Sequence, residues 1–199
     1  MDYPQFRGRD ALVAVIESAY AAPTDEALTH SLRDGLCRLI RDKAVFLPDC
    51  VFEPLDGHYA RREIYACPEL GFSVVAMTWA PGQGTPIHDH CGLWCVEGVW
   101  QGQLEITRYE LEEEAGDKTR FSMHETLMAG TGTAGSLLPP HEYHTIRNPQ
   151  PDQVSISLHV YQRAMGTCAT YEPIGEDWYQ RGSKTLCLDA VECDGSFPL

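Results

Sequence analysis

The chain has 199 residues, of which 43% are hydrophobic, and carries a formal net charge of −14. That length supports one domain with a full core, and the composition is that of an ordinary globular chain. The acidity argues against a nucleic-acid partner, which needs clustered lysine and arginine, and no apolar run is long enough to cross a bilayer as a helix.

The opening Met1-Asp2-Tyr3-Pro4-Gln5 lacks the basic-then-apolar order of a secretory leader, so a cytoplasmic location is expected. Residues 1–50 read as a helical segment. Asp10 is placed to cap a helix from Ala11 to Ala22, closed by Pro23. Thr24 is placed to cap a second helix, in which Leu28, Leu32, Leu36, Leu39 and Ile40 recur at helical spacing around Gly35. From Tyr59 the pattern turns to strands. The stretch from Phe72 to Trp79 is rich in strand formers and stops at Ala80-Pro81-Gly82. Leu93 to Trp100 and Leu104 to Leu111 flank Gln101-Gly102-Gln103, which reads as a hairpin turn. The acidic run from Glu112 to Asp117 reads as a solvated loop, and Phe121 to Met128, Ser136 to Leu138 and Val154 to Tyr161 read as further strands.

Many short strands with glycine and proline punctuation predict a mainly β fold, an antiparallel barrel or jelly roll behind the N-terminal helical segment. The expected organisation is a single domain over 1–199, with the barrel core at 59–175 and a C-terminal tail at 176–199. Eight cysteines without a leader, a regular spacing or a CxxC pair are expected to be mostly reduced thiols rather than disulfides or a zinc ribbon.

The richest signal is His88-Asp89-His90, followed at a distance by His144. Histidines at i and i+2 of an extended strand share a face, so a third imidazole from another strand completes three nitrogen donors around one metal. His141 competes for that third place. Imidazole suits iron, copper, nickel and zinc alike, so the donors do not name the metal. In so acidic a chain, a small anionic substrate needs a local cation, which draws attention to any arginine near the metal site.

Gly82, five residues, His88-x-His90 and later Gly102 resemble the first motif of the cupin superfamily. Pro139 and His144-x-x-x-Asn148 resemble the second, with His141 where that motif has glycine. The first motif carries a glutamate ligand where this chain has Cys95. A three-histidine site with cysteine in that place resembles the thiol dioxygenases, and cysteine dioxygenase most of all. Ser157-Leu158-His159-Val160-Tyr161 resembles the family's Ser-x-His-x-Tyr strand, Tyr59-Ala60-Arg61 its Tyr-x-Arg segment, and Trp79 a tryptophan closing the preceding strand. The resemblance spans Tyr59 to Tyr161; the stretch after Met165 carries no motif.

This resemblance implies a cupin-type antiparallel β-barrel holding Fe(2+) on His88, His90 and His144. It implies a substrate carboxylate on Arg61, with Tyr59 beside it and Arg62 as a possible substitute. Ser157, His159 and Tyr161 would form a hydrogen-bond relay, and Cys95 and Tyr161 match a pair that forms a thioether crosslink. The implied reaction adds both atoms of O2 to the sulfur of L-cysteine, giving cysteine sulfinate. The alternatives are a dioxygenase for 3-mercaptopropionate or mercaptosuccinate, or a non-enzymatic metal-binding cupin. Arg163 lies too close to Tyr161 to match the arginine of relatives specific for 3-mercaptopropionate, whereas the pair Arg61-Arg62 would suit the two carboxylates of mercaptosuccinate. The expected partners are a small-molecule thiol and O2, and the expected assembly a monomer or small homo-oligomer.

Overall fold

Two helices pack on one face of a β structure, as the apolar spacing of the first fifty residues predicts; the computed structural model describes residues 3–191. Helix α1 (Arg9–Ala19) begins at Gly8, whose φ of 85° is left-handed, and not at the expected cap Asp10, which lies in the first turn. A Cβ at position 8 would come 2.3 Å from the carbonyl oxygen of Ala44, so close chain approach places the start there. The helix ends at Ala19 rather than Ala22, because Pro23 disfavours the α conformation at the residue before it. The chain leaves through tight bonds from Ala21 N–H to Ser18 and from Ala22 N–H to Ala19. Helix α2 (Asp25–Arg41) starts where expected, with Thr24 Oγ1 accepting from Ala27 N–H at 3.2 Å. Gly35 is a contact point: a Cβ there would lie 2.4 Å from Val15 Cγ1, so glycine lets α1 and α2 approach.

Eleven strands follow: β1 (Ala60–Ala66), β2 (Ser73–Trp79), β3 (Ile87–His88), β4 (Cys95–Gln101), β5 (Gln103–Ala115), β6 (Lys118–Gly130), β7 (Ala134–Leu137), β8 (His144–Arg147), β9 (Ser155–Tyr161), β10 (Thr167–Gly175) and β11 (Trp178–Thr185). One antiparallel sheet runs β1-β2-β9-β4-β7, and the second set closes as β10-β11-β6-β5-β8-β3. The expected mainly β, antiparallel fold is the one observed. The central strands β2 and β9 are buried along their whole length, because the helices cover one face and the interior lies against the other. Side chains alternate accordingly. Val74, Val96, Ile156, Leu158 and Val160 join Leu32 and Leu36 in the helix-side core, whereas Val75, Met77, Trp79, Cys95 and Tyr161 point inward.

Three expectations are corrected. Gln101-Gly102-Gln103 is not a hairpin turn, since β4 and β5 belong to different sheets. Gly102 makes that crossing at φ 78°, with Ser155 Oγ only 2.5 Å from where a Cβ would sit. The acidic run is not a loop: β5 continues to Ala115 and β6 begins at Lys118, leaving Gly116-Asp117 as the turn. Its carboxylates are exposed on a projecting ribbon, where Arg120 pairs with Glu113 at 3.2 Å. The tail at 176–199 is strand through Thr185, because Glu176 and Asp177 at φ 48° and 62° turn the chain back along β10. The cysteines are mostly thiols, as expected: Cys37, Cys67, Cys91, Cys95, Cys168 and Cys187 are free, whereas Cys50 is disulfide-bonded. No described helix is long and apolar enough to cross a membrane.

Candidate metal centre and its cavity

Pairing of β3 with β8 sets His88 opposite His144, and His90 follows two residues later. Ring centroids are separated by 4.4 Å for His88–His144, 5.2 Å for His90–His144 and 5.3 Å for His88–His90. One ligand nitrogen from each lies within 4.8 Å of the other two. His88 Nδ1 is 3.2 Å from the Pro86 carbonyl oxygen and His144 Nδ1 is 3.1 Å from that of Glu142. A carbonyl only accepts, so both Nδ1 atoms carry the proton and both Nε2 atoms offer lone pairs. Burial pushes His88 down to about 4 and holds His90 and His144 well below the usual imidazole range, helped in the latter two by neighbouring imidazoles. Neutral imidazoles gathered with free lone pairs fit a metal cation. His90 Nδ1, buried without a hydrogen-bond partner, lies 3.9 Å from Glu142 Oε2. His141 is removed from contention: it is exposed and pairs with Glu110 at 2.9 Å.

Behind this triad, β9 presents Ser157, His159 and Tyr161 on one face. Trp79 Nε1 donates to Ser157 Oγ at 2.9 Å, and Ser157 Oγ is 2.8 Å from His159 Nε2. Indole only donates, so full satisfaction has the serine hydroxyl donate to Nε2, which leaves the imidazole proton on Nδ1. That Nδ1 faces Glu97 Oε2 at 3.3 Å, in the register pair Glu97–His159 of β4 and β9. The next expected step, to Tyr161, is ring stacking with centroids 5.9 Å apart. Cys95 sits directly across from Tyr161, both buried, and burial pushes the thiol and the phenol well up.

Glu97 was not anticipated from the sequence. It is 5% exposed, burial raises its carboxyl to about 7, and its Oε2 is 4.0 Å from His144 Nε2. The signal was available: it lies two residues past Cys95, hence on the same face, and is a lone charge in an apolar strand.

A cavity opens onto His88, His90 and His144 and is also lined by Arg61, Tyr59, Trp79, His159 and Tyr161. Arg61 is 6% exposed and its Nη1 has no hydrogen-bond partner, a donor that fits an anion. The Tyr59 ring stacks on Trp79 at 4.4 Å. Arg62 does not share the cavity. As the next residue of β1 it points to the opposite face, where Nη1 donates to Thr78 Oγ1 at 3.2 Å. Lys184, from the strand the sequence did not reveal, lines the cavity instead.

A family model described as "Cysteine dioxygenase type I" matches residues 51–173, more than half of the chain. The chain is 26% identical over 106 residues to cysteine dioxygenase type 1 of Danio rerio, covering 51% of this chain and 50% of that protein. It is 24% identical over 105 residues to the Homo sapiens enzyme, covering 51% and 50%. For the Bos taurus enzyme the match is 22% over 126 residues, covering 61% and 60%. The chain thus spans about half the length of the first two relatives. Similar solved structures include a Klebsiella pneumoniae protein with a double-stranded β-helix domain, at TM-score 0.45 and 19% identity, covering 61% of this chain and 85% of that one. An RmlC-like cupin from Desulfovibrio desulfuricans gives TM-score 0.41 and 17% identity, covering 56% and 90%.

Proposed function

The chain belongs to the cysteine dioxygenase type I family, and from that premise we propose that it is an iron(II)-dependent thiol dioxygenase, adding both atoms of O2 to the sulfur of a small thiol carboxylate to give a sulfinate. The family's name speaks for L-cysteine as that thiol; the charge of the cavity, taken up below, speaks for a different one. The observation that carries the reading is one cavity holding three neutral, converging imidazoles and a guanidinium whose buried Nη1 has no hydrogen-bond partner.

Ferrous iron held by His88, His90 and His144 would supply a Lewis-acidic, redox-active centre that keeps a thiol deprotonated and makes O2 reactive toward it. The rest is the work of this chain's own groups. Arg61 holds the substrate carboxylate through two parallel N–H donors, which fixes orientation as well as position. Tyr59, stacked on Trp79, walls the cavity beside it. Trp79 and Ser157 fix the tautomer of His159, so its Nδ1 proton stays directed at Glu97. Tyr161, whose phenol burial pushes still further above neutral pH, faces the cavity as a protonated hydrogen-bond donor. Cys95 lies against it across the sheet and is the partner for a thioether crosslink.

The test loads metal-free protein with ferrous iron and follows oxygen uptake with L-cysteine, 3-mercaptopropionate and mercaptosuccinate, identifying products by mass. Uptake with a product heavier by two oxygen atoms is expected, and none when zinc replaces iron. No uptake with any thiol at stoichiometric iron overturns the reading.

A further inference from the structure

The cavity lining pairs Arg61 with a second cation, Lys184, and includes no aspartate or glutamate among the described residues. In a chain of net charge −14 that is a local inversion of sign. Resting on the thiol dioxygenase reading, we infer that the substrate is a thiol carrying two carboxylates, one held by Arg61 and the second by Lys184 at the cavity mouth.

The two cations are held on the same cavity by different elements. Arg61 is on β1, deep and nearly inaccessible. Lys184 is near the end of β11, and its Nζ lies 3.5 Å from the Tyr59 hydroxyl and 5.1 Å from the centre of that ring. Because Tyr59 stacks on Trp79, the ammonium rests on a fixed aromatic wall rather than trailing in solvent. The chain that follows Lys184 is tied down at two points. Leu186 N–H donates to Gly166 at 2.9 Å. Asp189 N–H donates to the Arg61 carbonyl at 2.8 Å, while the Asp189 carboxylate accepts from Arg61 N–H at 2.8 Å. The same Asp189 accepts from His58 at 3.0 Å, so this acid is engaged outside the cavity lining.

A monocarboxylic amino thiol does not use this arrangement well. Its single carboxylate satisfies Arg61 and leaves Lys184 without an anionic partner. A thiol without an amine and with one carboxylate leaves Lys184 unused. A thiol dicarboxylate engages both cations, with its sulfur directed at the imidazoles. The sequence-based pairing of Arg61 with Arg62 for such a substrate fails on geometry, and Lys184 takes the second place.

The test compares wild type with Lys184→Gln, a change at an exposed side chain that carries no core contact. Steady-state kinetics on the iron-loaded enzyme use mercaptosuccinate, 3-mercaptopropionate and L-cysteine, and anaerobic calorimetry measures binding of the first two. Wild type should show its highest kcat/KM on mercaptosuccinate. The variant should raise KM and Kd for mercaptosuccinate by about tenfold, the loss of one charge-assisted hydrogen bond, with less than about a twofold change for 3-mercaptopropionate. Turnover of L-cysteine or 3-mercaptopropionate in preference to mercaptosuccinate overturns this inference while leaving the dioxygenase reading intact. Equal effects of the variant on mercaptosuccinate and 3-mercaptopropionate, or none on either, also overturn it. Absence of turnover with every thiol overturns the dioxygenase reading itself.

Discussion

Glu97→Gln should stabilise the metal-free protein at alkaline pH and change it much less in acid. Burial raises the Glu97 carboxyl from 4.5 to about 7, so the fold favours its protonated form. In the unfolded chain the group ionises near 4.5; in the folded one it stays protonated to about 7. Folding therefore carries no penalty from this group below the lower value. A penalty grows as pH rises between the two and is complete above the higher one, at roughly 3 kcal/mol from 1.36 kcal/mol per unit. Glutamine keeps the size and shape of the side chain beside His159 but removes the titration. Any cost of burying its amide group is independent of pH, so the readout is the pH-dependent part alone. Urea unfolding with a chelator present, from about pH 4.5 to 8.5, should show the variant gaining about 3 kcal/mol on wild type across that range. A gap that does not change with pH, or one that moves against the variant as pH rises, refutes the reasoning and would mean that Glu97 is folded as a carboxylate paired to a charged His159. Loading iron should shrink the gap, because a divalent cation near His144 favours the carboxylate form of its neighbour.

Three further outcomes are expected. After turnover, intact mass of the wild type should fall by two hydrogen atoms through a Cys95–Tyr161 thioether, and Cys95→Ala should show no such loss; an unchanged wild-type mass counts against the crosslink. Gly102→Ala should lower stability by about 2 kcal/mol or more, since alanine must adopt a left-handed φ against Ser155; an unchanged urea midpoint would contradict the close approach there. Arg61→Lys should raise KM for thiol carboxylates by about tenfold through loss of the bidentate grip while iron content by elemental analysis stays constant. Loss of iron in that variant would reassign Arg61 to holding the metal site together.

The His88, His90 and His144 cluster was legible because two separated motifs point to it: extended chain puts His88 and His90 on one side, although β3 itself ends at His88, and the second motif brings His144 to them. The inward set on β9 was legible for the same reason. Glu97 was not, because a single acid in a strand ordinarily marks a solvent-facing side, and only the helices over the outer faces of β9 and β4 force it inside. The acidic ends of β5 and β6 misled in the opposite sense. Charge reports contact with water, and a projecting two-stranded ribbon meets water without being a loop. Lys184 lay in a stretch whose exposed, polar side chains gave no apolar period to read, so neither its strand nor its place at the cavity was anticipated.

The helices and the candidate site lie against opposite faces of one sheet, and β9 shows why the site needs them. Its even positions, Ile156, Leu158 and Val160, are fully buried in the helix-side core, and its odd positions, Ser157, His159 and Tyr161, are the polar groups beside the imidazoles. Burying a serine, a histidine, a glutamate and three more imidazoles costs stability, because each gives up water for at most one or two partners. Leu12, Ile16, Leu32 and Leu36 supply the compensating apolar burial on the opposite face of the same strands. A polar interior of this kind therefore requires a cover on the outer face of the sheet. The N-terminal helices belong to the site's energetics even though none of their side chains lines its cavity.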